Sequence, residues 1–268
     1  MALTTFFSNA VRSLGLLVHI DRLRMHFARW RFRNKNQAFR AAHPHLAIPD
    51  EAIIYETFNA DITKYYEDGR DVAKWLVETI QSHTDCDTCK ILDWGCGPAR
   101  IVRHLPDLLP RNAEVFGTDF NAYTIDWCQK NISDVAFTCN DLIPPLPFHS
   151  NTFDIVYGIS VLTHLNEQRN HSWTREIFRI VMPGGLAILT TQGEAFSAKL
   201  TPKEKTAFRN NQLVVRGKVA EGRRTFSAFH PEAYMRNLFT EFSILQHTPG
   251  RSVGKSLEQD IWILQKSN

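Results

Sequence analysis

The chain has 268 residues and a mass of 30.8 kDa, which is enough for one large α/β domain with a substantial core. Its hydrophobic fraction of 43% and charged fraction of 22% argue against disordered, collagen-like and disulfide-stapled classes. The five cysteines are odd in number and fall mostly in predicted strands and helices, which favours a reducing compartment over secretion. We therefore expect a cytoplasmic protein.

The net charge of +3 is unevenly distributed along the chain. Residues 1–40 carry eight Arg or Lys against the single acid Asp21, a net +7. This composition predicts a basic helical arm over residues 1–40. Three roles stay open for this arm: a solvated or dimer-forming helix, a helix that contacts anionic lipid, or a targeting segment. Its apolar run at residues 13–20 is far shorter than the roughly 20 residues that span a bilayer, so no transmembrane helix is expected.

Residues 90–100 read KILDWGCGPAR, which predicts a buried strand, a glycine turn and a helix beginning near Pro98. This pattern is typical of the first βα unit of a nucleotide-binding fold. Arg100 occupies the place of the third glycine in the dinucleotide fingerprint, which weakens a pyrophosphate site. Asp93 would also repel a pyrophosphate, whereas it attracts an ammonium group. The turn therefore favours a cationic ligand.

Two further acids follow predicted strands. Asp119 ends the strand at residues 114–118, where a carboxylate can accept hydrogen bonds from both ribose hydroxyls. Asp141 follows the strand at residues 135–139 and suits an adenine amino group. A fourth strand is predicted at residues 153–160. The alternative to a ligand-binding role is that each acid only caps a neighbouring helix or turn.

As an ordered set, these motifs resemble those of class I S-adenosylmethionine (SAM) dependent methyltransferases over residues 90–192. The set is completed by FDIV at 153–156 and by MPGGLAIL at 182–189. The resemblance implies an α/β, Rossmann-like, seven-stranded and mostly parallel sheet, with helices on both faces and an antiparallel last strand. Residues 242–245 and 259–264 are similar to the last two strands. SAM is the implied cofactor, and the predicted cofactor-binding residues are Asp93, Gly95, Cys96, Gly97, Asp119, Phe120, Asp141, Leu142, Ser160, Arg70 and Tyr66.

Methyl transfer from a sulfonium mainly requires alignment and the exclusion of water, so no metal is expected. An acceptor hydroxyl or ammonium must still lose a proton, and histidine is the usual base near neutral pH. His164 follows the fourth strand, where open α/β sheets bind ligands, and is the first candidate catalytic residue. His230 is the second. Cys86 and Cys89 lack a second ligand pair for zinc, so we expect them in a polar loop.

Residues 41–268 form the predicted methyltransferase domain, with a helical lid at 41–80 and an acceptor-side insertion at 193–230. A helix is predicted to open at Gly69. Tyr65, Tyr66 and Arg70 are candidate lid residues, and Arg70 is suited to bind the cofactor carboxylate. Residues 199–225 carry eight Lys or Arg against two Glu, which favours an anionic acceptor. Aromatic residues for base stacking are few there, so nucleic acid is not favoured.

The predicted function is methyl transfer to an O, N or C atom of a small-molecule or glycan-type acceptor. Two alternatives stay open at this point: an NAD-dependent oxidoreductase and a catalytically silent SAM-fold scaffold. The sequence leaves the oligomeric state open.

Overall fold

The computed structural model describes residues 17–57, 59–254 and 256–267. Internal contacts divide the chain into two units. The amino-terminal unit comprises residues 19–141, and the carboxy-terminal unit comprises residues 142–267 together with Leu17 and Val18.

The amino-terminal unit contains helices and three parallel strands. The helices are α1 (Leu17–Ala42), α2 (Glu51–Thr57), α3 (Ile62–Gln81), a 3₁₀ helix (Val102–His104), α4 (Leu105–Leu108) and α5 (Ala122–Asn131). The strands are β1 (Lys90–Trp94), β2 (Glu114–Asp119) and β3 (Ala136–Cys139). Both β1 and β3 pair with β2 in parallel, so their carboxyl ends lie at one edge.

The carboxy-terminal unit contains the remaining elements. Its strands are β4 (Phe153–Gly158), β5 (Val181–Thr191), β6 (Val214–Arg216), β7 (Ser227–Phe229), β8 (Phe242–Thr248), β9 (Ser252–Val253), β10 (Ser256–Leu257) and β11 (Asp260–Lys266). Its helices are α6 (Glu167–Ile180), α7 (Pro202–Arg209), α8 (Glu232–Leu238) and the 3₁₀ helices Leu162–His164 and Glu194–Lys199. The pairs β6–β7 and β9–β10 form two small antiparallel ribbons.

The main sheet has seven strands in the order β3-β2-β1-β4-β5-β11-β8. Strand β11 runs antiparallel to β5 and β8, whereas β4 and β5 are parallel. Central strands are apolar and buried, as β4 shows with Phe153, Ile155 and Val156 fully inaccessible. The predicted seven-stranded, mostly parallel sheet with an antiparallel last strand is confirmed.

The helix predicted to begin near Pro98 is wrong. Ala99 has a φ of 60°, a left-handed conformation that stops a helix from starting there. The chain instead turns through residue 101 and forms the short 3₁₀ helix and α4.

The predicted opening of a helix at Gly69 is also wrong. Helix α3 begins at Ile62, because Asp61 caps it by accepting a hydrogen bond from the Lys64 N–H. Gly69 therefore lies in the middle of a helix, where glycine is unfavourable. A Cβ at this position would lie 2.1 Å from the Arg100 carbonyl oxygen, so close packing explains the glycine.

The predicted helical arm is present from Leu17 onward as α1, and the preceding residues 1–16 lie outside the described residues. Within the described ranges, no helix is long and apolar enough to cross a membrane. Phe39 of α1 packs in a cluster with Ile48, Ile54, Ile62 and Tyr65. Helix α1 is thus joined to α3 by a shared apolar core.

Cys86 and Cys89 lie in the loop before β1, as expected, and form a disulfide that the sequence analysis did not predict. Cys96, Cys128 and Cys139 are free thiols. No group of three or more metal-ligating side chains is found in the part of the chain that the structure describes.

Candidate active site

The glycine turn after β1 is held by backbone geometry. Gly95 and Gly97 have φ angles of 78° and 50°, which favour glycine at both positions. The N–H groups of Gly95 and Cys96 donate to the Thr118 carbonyl oxygen at 2.8 and 2.9 Å. The turn is therefore fixed to the end of β2.

Asp119 connects this turn to the start of α5. Its Oδ2 accepts a hydrogen bond from the Gly97 N–H at 3.0 Å, and its Oδ1 accepts one from the Asn121 N–H at 2.8 Å. The side chain is half-buried, so it can also contact a ligand. Asp93, by contrast, is only 3% exposed. The structure brings both predicted acids to the carboxyl edge of β1 and β2.

Burial, and secondarily the nearby acids, raise the pKa values of the three free cysteines at this edge. Burial, followed by the negative charges of Asp93 and Asp119, raises the pKa of the Cys96 thiol well above its usual value. Burial and then Asp119 raise the pKa of Cys128 to about 12. Burial, Asp119 and Asp141 raise the pKa of Cys139. Because these acids disfavour a second negative charge, the edge is suited to a cation.

Helix α3 supports the turn through Tyr65, which the sequence analysis named only as a lid residue. The Tyr65 hydroxyl donates to the Pro98 carbonyl oxygen at 2.5 Å, and Arg103 donates to the same hydroxyl at 3.3 Å. Burial raises the pKa of Tyr65 to about 12, so it remains a neutral donor. Tyr65 and Gly69 are four residues apart on one helix face, and this spacing is the signal that could have revealed the contact.

Tyr66 packs among aromatic and basic side chains of the amino-terminal unit. Its ring lies edge-on to His104 at 4.7 Å, packs against Phe39 at 5.9 Å and is covered by the Arg103 guanidinium. The predicted contact of Tyr66 with the cofactor stays a prediction, whereas Tyr65 is the residue that reaches the turn. Arg70 is exposed on α3, and its cofactor contact stays a prediction.

The other predicted adenine-side residues lie near the ends of β2 and β3. Asp141 is exposed, and the Asn140 amide donates to its carbonyl oxygen at 2.6 Å. Phe120 is half-buried. Leu142, in the carboxy-terminal unit, accepts a hydrogen bond at its carbonyl oxygen from the Trp173 indole at 3.0 Å.

In the carboxy-terminal unit, Ser160 belongs to a polar network beyond the end of β4. Its N–H donates to the Thr190 hydroxyl at 2.8 Å, and its own hydroxyl accepts from the Gln259 amide at 2.7 Å and pairs with Thr163 at 3.1 Å. The φ of Ser160 is 68°, an uncommon conformation for serine that the network holds in place. Thr163, Thr190 and Gln259 were not predicted as site residues.

His164 is held in one tautomer. Its Nδ1 lies 2.9 Å from the Phe226 carbonyl oxygen, and because a carbonyl only accepts, Nδ1 carries the hydrogen. Nε2 is then the basic nitrogen. Burial, followed by the positive charge of Arg224, lowers the pKa of His164, so the ring is neutral near neutral pH.

The turn that carries His164 is fixed from two sides. The insertion contributes the Gly222 N–H, which donates to the His164 carbonyl oxygen, and Glu221, which accepts from the Asn166 N–H. From α6, the Asn170 amide donates to the carbonyl oxygens of Leu162, Leu165 and Asn166. The insertion therefore positions the candidate base.

The assignment of His230 as a catalytic residue is corrected. It is completely buried, and its Nε2 lies 3.2 Å from Asn170 Oδ1. Burial lowers its pKa to about 3, so it is a neutral donor to Asn170. His230 thus supports the turn of His164 through Asn170, and a fully inaccessible ring cannot contact an acceptor.

The insertion has a small core of its own. Phe196, Leu200, Phe208, Val214 and Phe229 form one buried cluster. Arg216 pairs with Glu204 at 2.7 Å. Lys199, Lys203 and Lys218 are exposed, and they are part of the predicted basic surface.

Comparison with known proteins agrees with this geometry. The family model for a methyltransferase domain matches residues 91–185, from β1 to the first half of β5. A SAM-dependent methyltransferase from Methanosarcina mazei has a TM-score of 0.54 at 20% identity, covering 70% of this chain and 97% of that one. Magnesium protoporphyrin IX methyltransferase from Synechocystis, with bound SAH, has a TM-score of 0.55 at 17% identity, covering 76% and 86%. Fold and glycine turn together define a SAM-binding α/β domain.

The sequence relatives are also named as methyltransferases. An uncharacterized methyltransferase of Schizosaccharomyces pombe is 29% identical over 163 residues, covering 52% of this chain and 56% of that protein. The tRNA N(3)-cytidine methyltransferase of Gallus gallus is 29% identical over 162 residues, covering 56% and 41%. The chain spans about half the length of these curated relatives. Residues 91–185 form a methyltransferase domain, and the comparisons support a class I SAM-dependent enzyme with SAM as its cofactor.

Proposed function

We propose that this chain transfers the methyl group of SAM to an oxygen, nitrogen or carbon atom of an anionic small-molecule or glycan-type acceptor. The observation that carries the proposal is His164, whose Nδ1 is engaged by a carbonyl and whose Nε2 is basic. His164 would accept the proton that the acceptor loses. This role requires a proton-bearing acceptor atom.

The residues of the amino-terminal unit fit SAM. Asp93 and Asp119 create a negative field that complements a sulfonium and an ammonium, and the positive-φ glycines let the backbone approach a ligand. Asp119 would hold the ribose, and Asp141 would lie beside the adenine. SAM supplies an electrophilic methyl group, so the chain need provide no nucleophile of its own.

The chain's own charges support an anionic acceptor. Lys199, Lys203 and Lys218 are exposed on the insertion, whose residues 221–226 also hold His164. Relatives include a sterol 24-C-methyltransferase and a demethylmenaquinone methyltransferase, besides the tRNA enzyme. Their names indicate different acceptors, so the acceptor class proposed for this chain rests on its own residues.

Calorimetry and a turnover screen test the proposal. SAM should bind whereas NADH should not, because Asp93 disfavours a pyrophosphate. Release of S-adenosylhomocysteine is then measured with anionic small molecules, glycans and tRNA as separate acceptors. Turnover with either of the first two supports the proposal, and turnover with tRNA alone overturns the acceptor class. SAM binding without turnover on any acceptor favours the silent scaffold.

A further inference from the structure

Helix α1 has two chemically different faces. On its inner face, Arg29, Lys35 and Arg40 pair with acids of the following segments, with N–O distances of 3.5 Å to Asp50, 2.9 Å to Asp61 and 3.8 Å to Glu51 respectively. The only acid of the helix, Asp21, accepts a hydrogen bond from the Tyr55 hydroxyl. The cations and the acid of the inner face are thus paired with other residues of the same unit.

The outer face carries a stripe of large apolar side chains. Leu23, Phe27 and Trp30 are 69%, 59% and 72% exposed. Their spacing of four and then three residues places them on one side of the helix. The rings of Phe27 and Trp30 lie 5.7 Å apart, so the stripe is continuous. We call Leu23, Phe27 and Trp30 the apolar stripe.

Arginines flank the apolar stripe on both sides. Arg24 and Arg31 each follow a stripe residue by one position, a rotation of about 100° around the helix. Arg22 precedes Leu23, and Arg33 lies on the same side as Arg22. All four are exposed, and none forms an ion pair with an acid within the described ranges. An apolar centre thus lies between two rows of cations.

We propose that this outer face of α1 binds the surface of a membrane that contains anionic lipids. The apolar stripe would enter the boundary between headgroups and acyl chains, where tryptophan is favoured, while the flanking arginines would contact lipid phosphates. The chain would then be a peripheral membrane protein. This inference is independent of the proposed methyl transfer.

Other occupants fit the same face less well. A second copy docked through the stripe would bring two sets of four arginines together, and these like charges would repel. A nucleic acid would stack bases on aromatic rings, but the aliphatic Leu23 offers no such platform. A lipid surface uses the leucine, the aromatic rings and the arginines together.

Cosedimentation of the full chain with lipid vesicles tests the proposal. The wild type should bind vesicles of phosphatidylcholine with phosphatidylserine, and bind pure phosphatidylcholine vesicles more weakly. Replacing Phe27 and Trp30 together with Ser should lower the partition coefficient about tenfold or more, because two apolar side chains are removed. The double change Arg24→Ser and Arg31→Ser should lower it about thirtyfold on the anionic vesicles.

Matched controls show whether vesicle binding depends on the outer face of α1 in particular. Tyr123 is 71% exposed on α5, so Tyr123→Ser removes an equally exposed aromatic side chain elsewhere and should leave vesicle binding unchanged. Each α1 variant should keep the wild-type SAM affinity and melting temperature, because the changed side chains point away from the inner face. Vesicle binding can thus be lost while the cofactor site stays intact.

Three results would overturn the proposal. One is a wild type that fails to bind the anionic vesicles, and another is binding that survives both double changes. The third is a wild type that ignores vesicles but forms a dimer or binds tRNA, with that association lost in the apolar variant.

Discussion

The glycine turn of the amino-terminal unit and the His164 turn of the carboxy-terminal unit are held in different ways. The first is fixed mainly by backbone conformation, with Gly95 and Gly97 at positive φ and one carboxylate, Asp119, accepting two backbone N–H bonds. The second is fixed by side chains and segments distant in sequence, including Asn170 and residues 221–226. The cofactor turn is therefore a local structure, whereas the position of the candidate base depends on long-range contacts.

The largest expected effect concerns His164. His164→Asn keeps a side-chain N–H near the position of Nδ1 for the Phe226 carbonyl but removes Nε2. If Nε2 is the base, kcat should fall about 100-fold to 10,000-fold. Single-turnover rates on a responding acceptor measure this loss.

The pH profile separates catalysis from structural support. Because burial lowers the pKa of His164, the wild-type rate should decline only below the usual histidine range, and the His164→Asn profile should be flat. His171→Asn, an exposed change on α6, is the control. A variant with the full rate at every pH would show that alignment alone suffices.

The next effect concerns the cofactor turn. Asp119→Ala removes a charged hydrogen-bond acceptor and the acceptor of the Gly97 N–H, at a cost of about 1.5 to 3 kcal/mol in SAM binding, roughly ten- to 150-fold. Isothermal titration calorimetry with SAM measures it. Asp126→Asn, on the surface of α5, should leave the affinity unchanged. Equal affinities for Asp119→Ala and the wild type would contradict the ribose assignment.

A third prediction tests the close packing of α3 on the cofactor turn. In Gly69→Ala, the new Cβ would lie 2.1 Å from the Arg100 carbonyl oxygen, so the helix or the turn must shift. We expect a net loss of about 2 kcal/mol in the free energy of unfolding, because overpacking outweighs the helix preference of alanine. Urea unfolding measures the loss.

The matched control is Gly217→Ala, where the nearest side-chain atom to a Cβ, on Phe226, is 3.9 Å away. It should change stability by less than about 0.5 kcal/mol. If both variants lose the same stability, the close contact of Gly69 is not the cause.

The smallest expected effect is the acid sensitivity contributed by His230. Its folded pKa of about 3 lies below the usual value of 6.5, so the unfolded state binds the proton more tightly. The stability due to the neutral ring is present above about pH 6.5 and is lost progressively as the pH falls toward 3. Between about pH 7 and pH 5.5, this costs about 1 kcal/mol.

His230→Gln keeps a donor for Asn170 but does not titrate, so its unfolding free energy should fall less over this pH range. Urea unfolding at both pH values compares the two proteins. Identical pH slopes would show that His230 is not buried as a neutral ring in solution.

The residues alone predicted the first four strands and the position of the cofactor turn, and the family resemblance supplied the seven-stranded sheet. Apolar runs at β1, β2 and β4, glycines that tolerate positive φ, and acids directly after strands are local features that neighbouring residues specify. The helix predicted at Pro98 failed because the left-handed conformation of Ala99 belongs to a turn that only the complete structure fixes.

The side chains that support each turn become visible in the folded chain. Gly69 and Tyr65 were assigned to a lid, but the approach of α3 to residues 98–100 makes them part of the cofactor turn. His230 cannot contact an acceptor because it is completely buried against Asn170, 60 residues earlier in the chain. Such contacts join residues that are far apart in the sequence, so no local periodicity or spacing encodes them, and packing selects among the roles that each residue type allows.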